Sequence, residues 1–334
     1  MNHTLINETT LKLALSLKKS YDCYVNSNIP ETKADKLVNE FISEANQFNS
    51  WYTSEYAKKG LDLLIEDLLF VSDYKLPELP EPNGSIGFLY KAGRSFDGLA
   101  EIIYSALHGF SCEVQVPAED QSIFVKYLEL ISDFPAISKR IRVADNLRSA
   151  SSLISFVHLN DTMREYFAKF RLLELHNDGA SLILTGKEND EQLEKIAESI
   201  CLFFGRSTRN VKLLFVPNNY NINRLQPYFS KFSDQLYHNR YYNNYDYRKS
   251  VMIINRIPFI EYAPLLITEE TGQSGYTSVV VFIRYARINE VVNNEFSVKY
   301  PIINIHKNES IHYNLSGFKS NFHKLNEFLA EITN

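Results

Sequence analysis

Cysteine and histidine are the side chains in this sequence best suited to covalent or metal chemistry, and their spacing favours neither. Cys23, Cys112 and Cys201 show no paired spacing, so we expect reduced thiols, as in a cytoplasmic protein. The eight histidines show no metal-ligand spacing, since even His306 and His312 have no cysteine or paired acids beside them. We therefore predict no metal site and interpret the histidines as surface or hydrogen-bonded side chains.

Glycine-rich nucleotide loops are also missing from a chain that has only 12 glycines. There is no Gly-x-Gly-x-x-Gly. Gly93 and Gly98 have the spacing of a P-loop, but Leu99 stands where that motif needs lysine. The absence of a Gly-x-Ser-x-Gly elbow gives no support for an α/β-hydrolase triad.

The stretch 237–247, YHNRYYNNYDY, combines tyrosines and asparagines in a way that is suited to stacking a base or lining a ligand channel. The alternative is a hydrogen-bonded, helix-capping turn packed on the core. The sequence leaves both interpretations open. The candidate residues for a substrate-binding or structural role are Asn243, Asn244, Tyr245 and Asp246.

Composition excludes several classes of protein. The 334 residues carry a formal net charge of -5, without the basic excess typical of nucleic-acid binders. No apolar run approaches the roughly 18 residues needed to span a bilayer. Residues 1–19 lack the apolar core and cleavage site of a signal peptide, so we expect a cytoplasmic protein without a membrane span.

The elements that must position any site alternate between strand and helix after a helical N-terminal region. A connector at 72–87, rich in proline, and a change of pattern near Gly186 give the boundaries. The predicted regions are an N-terminal helical region and linker at 1–83, a Rossmann-like domain at 84–185, a catalytic-type α/β domain at 186–300, and a polar tail at 301–334 that pairs with a neighbour. The alternation is typical of a doubly wound, mostly parallel sheet.

Apolar spacing predicts the individual elements. Asp97 and either Asn189 or Asp190 are interpreted as helix caps. Strands are predicted at 86–90, 112–116, 141–144, 153–157, 181–184, 211–216, 265–268 and 278–285. Helices are predicted at 37–48, 56–69, 97–107, 123–131, 190–204, 222–236 and 247–255.

The stretch 184–216, LTGKENDEQLEKIAESICLFFGRSTRNVKLLFV, and the later NNYDY at 243–247 resemble one protein family. They are similar to acyl-CoA reductases related to the enzyme that supplies aldehyde to bacterial luciferase, especially the short forms of Bacteroidetes-type bacteria. The resemblance covers about residues 35 to 290. It implies the aldehyde dehydrogenase superfamily, with a Rossmann-type cofactor domain, an α/β catalytic domain and N-terminal helices.

The resemblance also implies a chemistry. In the family a cysteine thiolate attacks an acyl-CoA thioester, and the acyl-enzyme then takes a hydride from NADPH or NADH and leaves as aldehyde. The family pattern Gly-x-Gly-Cys-Arg-Asn-Val corresponds here to GRSTRNV at 205–211. Thr208 therefore stands at the nucleophile position, with Arg209 and Asn210 beside it as the other implied catalytic residues.

Threonine at this position changes the chemistry, because a thiol ionises near pH 8.5 whereas a hydroxyl needs a dedicated base. An ester on threonine is also a poor hydride acceptor. We expect Cys201 to pack as a buried apolar side chain seven residues earlier and not to replace the missing thiol.

The implied cofactor positions also depart from the family. Gln115 takes the place of the lysine that contacts the cofactor ribose, and 157–159, Val-His-Leu, replaces a small Thr-Gly-Ser turn. A bulky residue there would crowd a backbone that approaches phosphate. The implied cofactor-binding residues are Gln115, Asn160, Asp161, Thr162 and Gly186.

Two functions follow from the resemblance, and a different enzyme on the same fold is a third. One is an NADPH- or NADH-dependent acyl-CoA reductase with a rearranged site. The other is a non-catalytic paralogue that binds an acyl group or nucleotide, or serves as a partner subunit. The implied partners are acyl-CoA or another acyl thioester, a homo-oligomer, or a hetero-complex with acyl-transfer enzymes. The sequence does not determine the length of the acyl chain, the preference for NADPH or NADH, or the pathway.

Overall fold

The computed structural model describes residues 3–74, 82, 84–90, 96–175, 179–292, 302–304 and 315–333. The chain forms two compact units, the first comprising 1–176 with 320–334 and the second 177–319. Each unit has its own sheet, which confirms the α/β prediction. Parts of the proline-rich connector, the P-loop-like Gly93, and both His306 and His312 lie outside the described residues.

Three helices open the first unit: α1 (His3–Val25), α2 (Lys33–Phe48) and α3 (Ser54–Asp73). Thr32 and Asp35 form a capping box at the start of α2, in which each side chain accepts a hydrogen bond from the other's backbone N–H. Residues spaced by three and four along α2 are buried, as the periodicity predicts.

The first sheet consists of five parallel strands: β1 (Ser85–Leu89), β2 (Ser111–Gln115), β3 (Ile141–Val143), β4 (Ser152–Ser155) and β5 (Arg171–Glu174). Their order is β3-β2-β1-β4-β5. The connecting helices are α4 (Leu99–Leu107), α5 (Gln121–Leu130), α6 (Pro135–Ser138) and α7 (Asp161–Tyr166). The prediction that Asp97 caps α4 is wrong, because the N-cap is Gly98, whose φ of 87° suits glycine.

The connection from β3 to β4 is a crossover segment, residues 144–151, that contains no helix. It must pass β2 and β1, since these strands separate β3 from β4 in the sheet. The segment lies directly on Gly87 of β1, where an added Cβ would stand 3.1 Å from Ala150 and 3.2 Å from Leu147. Parallel strands are usually joined by a helix, so this thin crossover leaves unusual space beside it.

Polar bonds attach the crossover segment to the sheet. The Ser149 hydroxyl donates to both carboxylate oxygens of Glu113, at 2.7 and 2.9 Å, and Arg142 donates to the same carboxylate at 2.6 Å. The Ser151 hydroxyl donates to the carbonyl of Ser85 at 2.7 Å. The segment is therefore held in place at several points.

The second unit has six strands in the order β11-β6-β7-β10-β9-β8. They are β6 (Ala180–Ile183), β7 (Val211–Pro217), β8 (Ile260–Tyr262), β9 (Leu265–Thr268), β10 (Val279–Tyr285) and β11 (Ile302–Asn304). The β8–β9 pair is antiparallel and the others are parallel. The sequence analysis places β6 before the boundary at 186, but β6 pairs with β7 and so belongs to the second unit.

Helices of the second unit depart from prediction after β7. The elements are α8 (Asp190–Cys201), α9 (Gln226–Phe229), α10 (Asn239–Ile254) and α11 (Ile288–Val292). The single helix predicted at 222–236 is three short pieces, two of them 3₁₀-helical. The helix predicted from Tyr247 begins instead at Asn239, because two buried tyrosines four residues apart anchor its first turns.

The C-terminal segment contains a helix, α12 (Leu315–Thr333), whose residues from Ser320 onward belong to the first unit. Its buried side chains include Phe322, Leu325 and Leu329, which share one helical face. The Arg171 side chain also donates to the carbonyl of Glu331 at 2.7 Å. The expectation that the whole of 301–334 is a polar tail pairing with a neighbour is therefore wrong for this helix.

Among the helices of the described residues, none is both long and apolar enough to cross a membrane.

Candidate functional site

The three implied catalytic residues share one loop of the second unit. Asn189 caps the start of α8, a short 3₁₀ turn at Leu202–Gly205 follows its end, and residues 206–210 lead into β7. Thr208 is half-buried, whereas Arg209 and Asn210 are buried. The loop thus brings together the residues that the resemblance singled out.

The side-chain amide of Asn210 is hydrogen-bonded to nearby backbone groups. Its Oδ1 accepts from the Ser207 N–H at 2.8 Å. Its Nδ2 donates to the carbonyls of Ser199, Ile200 and Leu202, at 3.0, 3.2 and 2.9 Å. These carbonyls belong to the end of α8, where helices leave acceptors without intrahelical partners. The Asn210 side chain is therefore committed to capping α8 and shaping the loop.

The backbone just before this loop has an unusual conformation. Phe203 and Phe204 have φ of 52° and 56°, and Gly205 has φ of 66°. Left-handed conformations are costly for bulky residues, and surrounding contacts must hold them. Here the Phe204 ring lies 4.6 Å from the His238 ring, and the Lys212 ammonium donates to the Gly205 carbonyl. This turn fixes where the loop leaves the helix.

Two of the three cysteines, Cys112 and Cys201, are buried. Cys201 is 1% exposed, and burial raises its pKa well above that of a free thiol. Cys112, in the first unit, is fully buried, and burial raises its pKa in the same way. The expectation that Cys201 packs as an apolar side chain is confirmed. The remaining cysteine, Cys23, lies on α1.

The first unit contains a cleft of about 690 Å³ at the carboxyl ends of β1, β2 and β4. Open parallel sheets bind ligands at this edge, beside the strand where the order reverses. Its lining comes from three strand ends, the crossover segment and the region of α7. The lining residues are Leu89, Tyr90, Gln115, Val116, Pro117, Ala118, Asn146, Leu147, Arg148, Val157, Thr162, Met163, Tyr166, Phe167, Lys169 and Phe170.

The cleft wall is mostly apolar and carries positive charge. Leu89, Leu147 and Phe167 belong to one buried cluster beneath it. Among the lining residues that the structure describes, Arg148 and Lys169 carry charge and none is a carboxylate. The Lys169 ammonium lies 4.7 Å from the centre of the Phe170 ring. An apolar wall with a few cations suits a ligand that has a flat or apolar body and an anionic group.

Two of the five implied cofactor residues, Gln115 and Thr162, line this cleft. Gln115 ends β2, and its Nε2 donates to the carbonyl of Asp145 at 3.2 Å. Asn160 and Asp161 lie beside the cleft at the start of α7. Asn160 accepts from the Met163 N–H at 2.9 Å as its N-cap.

Gly186 lies in the second unit and does not line that cleft. Its φ is 85°, which glycine adopts without steric cost. Its N–H donates to the Glu188 carboxylate at 3.1 Å, and its carbonyl accepts from Arg224 at 2.8 Å. These bonds fit a turn after β6 that precedes the cap of α8.

The tyrosine-rich stretch is the first half of α10. Tyr241 and Tyr245 are buried, and the Tyr241 hydroxyl donates to the Pro264 carbonyl at 3.0 Å. Tyr245 is hydrogen-bonded to Glu261, and burial together with that carboxylate raises the pKa of Tyr245. The other candidate residues, Asn243, Asn244 and Asp246, are exposed. The packed interpretation is therefore favoured over a ligand channel.

Several cleft residues were missed by sequence reasoning. Asn146, Leu147 and Arg148 come from the crossover segment, which has no periodic pattern to mark it. Met163, Phe167 and Phe170 repeat at intervals of four and three. That spacing could have identified an apolar face, but the helix α7 is only six residues long and ends at Tyr166.

Within the described residues there is no group of three or more histidine, cysteine, aspartate or glutamate side chains that could hold a metal ion.

No protein-family model matches the sequence, and no curated protein matches it. Solved structures do match. An NAD-dependent aldehyde dehydrogenase from Sinorhizobium meliloti is 11% identical with a TM-score of 0.60, over 97% of this chain and 73% of that one. An aldehyde dehydrogenase from Burkholderia cenocepacia is 11% identical with a TM-score of 0.59, over 97% and 77%.

Lactaldehyde dehydrogenase from Escherichia coli is similar as well, with 10% identity and a TM-score of 0.54 over 98% of this chain and 77% of that one. Identities this low speak to the fold and leave activity open. The implied architecture is confirmed: the chain has the α/β fold of aldehyde dehydrogenases.

Proposed function

We propose that this chain is a divergent, cytoplasmic relative of the acyl-CoA reductases. It binds the ligands of those enzymes, NADPH or NADH and an acyl thioester, without forming a covalent acyl-enzyme. It serves as a binding subunit, in a homo-oligomer or in a complex with acyl-transfer enzymes. The observation that carries the proposal is the loop 206–210, which has a hydroxyl where the family has a thiol.

The chemistry of the loop supports the loss of the covalent step. A threonine hydroxyl attacks a thioester only when a base removes its proton, and its ester would be a weaker hydride acceptor than a thioester. The Asn210 amide is occupied by three carbonyls and one N–H. Cys201 is buried and its pKa is raised by burial, so it offers no thiolate near neutral pH.

The cleft of the first unit supports retention of ligand binding. It lies at the strand ends where dinucleotides bind to open α/β sheets, and its lining, as far as the structure describes it, includes two cations and no carboxylate. The residues present therefore fit a phosphorylated nucleotide. Arg148, Lys169, Gln115 and Thr162 would hold it, and a bound NAD(P)H would supply a hydride.

The alternative is a reductase with a rearranged site, favoured by the same cleft. Such an enzyme would transfer hydride directly to a bound thioester. The balanced reaction consumes the thioester, NAD(P)H and a proton, and it releases aldehyde, free CoA thiol and NAD(P)⁺.

One assay separates the two functions. Purified full-length chain is mixed with acyl-CoAs of several lengths and with NADPH or NADH, and nicotinamide fluorescence and trapped aldehyde are recorded. We expect cofactor binding without turnover. Turnover that exceeds that of a Thr208→Ala variant would refute the non-covalent binding function, and absence of both turnover and binding would refute either function.

A second test concerns the location of the site. In a Cys23→Ser background, Thr208→Cys should be alkylated by iodoacetamide about tenfold or more faster than Cys201, because position 208 is half-buried and Cys201 is 1% exposed. Mass spectrometry of the labelled peptides measures both rates. Equal or slower labelling at position 208 would show that this loop does not present its side chain to solutes.

A further inference from the structure

We propose that the cleft of the first unit recognises an adenosine whose ribose carries its own monophosphate, and that Arg148 and Lys169 bind this phosphate. The inference rests on the proposed function and deepens it. It specifies which nucleotides the cleft prefers and names the residues that decide the preference.

The charge of the lining is the first observation. In dinucleotide-binding sheets an acidic residue near the end of the second strand binds an unmodified ribose, whereas a nearby arginine accommodates a ribose phosphate. Here β2 ends in Gln115 and is followed by Val116 and Pro117, all of which line the cleft. Glu119, which follows the lining residue Ala118, and Asp145, which precedes the lining residue Asn146, are exposed and are not part of the lining.

The second observation concerns the ion pairing of the two cations. Neither the Arg148 guanidinium nor the Lys169 ammonium makes an ion pair with a residue that the structure describes. Neighbouring arginines do: Arg142 pairs with Glu113 at 2.6 Å and Arg164 with Glu174 at 2.5 Å. Two cations without a carboxylate partner, on the wall of one cleft, are suited to a dianionic phosphate.

The crossover segment is the third observation. Because it has no helix, it brings Asn146 to Arg148 directly to the carboxyl edge of the sheet, and Leu147 seats it on Gly87. Arg148 therefore follows an anchored residue, which limits where its guanidinium can reach. On the facing side, Phe167, Phe170 and Tyr166 offer aromatic surface that suits an adenine ring.

Two ligands share this chemistry. NADPH carries a 2′-phosphate on its adenosine ribose, and CoA carries a 3′-phosphate. NADH carries neither. The probes are therefore 2′,5′-ADP, 3′,5′-ADP and 5′-ADP, which represent the adenosine ends of NADPH, CoA and NADH.

The experiment is calorimetric titration of the full chain with each probe. We expect one or both of the ribose-monophosphate probes to bind at least about tenfold more tightly than 5′-ADP, a change of about 1.4 kcal/mol. A preference for 2′,5′-ADP would identify the NADPH type of ligand, and a preference for 3′,5′-ADP would identify the CoA type. Equal affinity for all three would overturn the inference.

Variants assign the effect to residues. Arg148→Ala and Lys169→Ala should each weaken binding of the ribose-monophosphate probes more than binding of 5′-ADP, and so remove most of the preference. Both side chains are exposed, so the variants should fold, which circular dichroism would verify. Lys139→Ala is the matched control, because Lys139 is an exposed cation that precedes β3 at the amino edge of the same sheet. A loss of preference in the control equal to that in Arg148→Ala would also overturn the assignment.

The outcomes separate this inference from the proposed function. Binding of all three probes with equal affinity leaves nucleotide binding intact and refutes only the ribose-phosphate preference. Failure of all three to bind refutes both.

Discussion

The cleft of the first unit and the loop 206–210 of the second unit differ in how well their side chains suit the chemistry that the resemblance implies. The cleft has about 690 Å³ of space and two cations that no described carboxylate neutralises. In the loop, the Asn210 amide is hydrogen-bonded to the chain's own backbone, and position 208, which the resemblance aligns with a cysteine nucleophile, is a threonine. The cleft is therefore suited to binding a ligand, whereas the loop is not suited to a covalent step.

The difference has a physical basis. A cleft at a sheet edge follows from strand order, and many side chains can line it without closing it. A covalent centre depends on the identity of one atom and on its ionisation. Under the proposed function, the one substitution at position 208 is enough to remove the covalent chemistry, whereas the binding edge tolerates many substitutions. The predictions below test whether each region has the role that this contrast assigns.

The largest effect is expected for Asn210→Ala. Loss of the amide leaves the Ser207 N–H and three carbonyls at the end of α8 without these bonds, so we expect a loss of about 3 kcal/mol in the stability of the second unit. Urea unfolding followed by circular dichroism measures it. Fluorescence of Trp51, the only tryptophan, reports the first unit and should not shift.

Asn243→Ala is the matched control, because Asn243 is exposed on α10 and should change stability by less than about 0.5 kcal/mol. If Asn210→Ala were equally mild, the loop would not depend on this cap, and the Asn210 side chain would be available for chemistry after all.

A smaller effect is expected for Gly87→Ala. The added methyl group would stand 3.1 to 3.2 Å from Ala150 and Leu147, so the crossover segment would have to shift by a few tenths of an ångström, at a cost of about 2 kcal/mol. We also expect weaker nucleotide binding, since the segment forms part of the cleft. Trp51 fluorescence during urea unfolding and titration with 5′-ADP give the two measurements.

Gly272→Ala serves as the control for that substitution, because its nearest neighbour is the tip of the flexible Glu270 side chain, at 3.4 Å. Since Gly272 lies in the second unit, the stability of this control is followed by circular dichroism. Unchanged stability and binding in Gly87→Ala would mean that the crossover segment adapts freely and does not set the shape of the cleft.

The smallest effect is expected for Glu113→Gln, at about 1 kcal/mol. Burial would raise the pKa of Glu113, but the hydrogen bonds from Ser149 and Arg142 and the charge of Arg142 outweigh it and lower the pKa below its usual 4.5. A lowered pKa stabilises the folded state above pH 4.5, and this contribution is lost as the pH falls through the folded-state pKa.

The stability difference between the natural chain and Glu113→Gln should therefore be full at pH 6 and shrink below pH 4.5. Urea midpoints at a series of pH values, read from Trp51 fluorescence, measure it. A difference that is constant from pH 6 to pH 3 would show that the carboxylate charge does not hold the crossover segment.

Sequence patterns were most informative where one element carries its own signal. The face of α2 and a cap at Asn189 or Asp190 were predicted, because spacing by three and four, and a capping side chain, act within a single helix; the cap is Asn189. The strand at 265–268 was also predicted correctly. The α10 start was missed because its tyrosines and asparagines have weak helix propensity, which tertiary burial of Tyr241 and Tyr245 overrides.

The sequence by itself determined that position 208 carries a hydroxyl and not a thiol, since residue identity alone decides this. It also determined the alternation of strands and helices. Only the tertiary structure decided that residues 144–151 cross a sheet without a helix, that Arg148 and Lys169 share one cleft, and that Asn210 caps α8. Those facts depend on contacts between residues far apart in the chain, which local pattern does not encode.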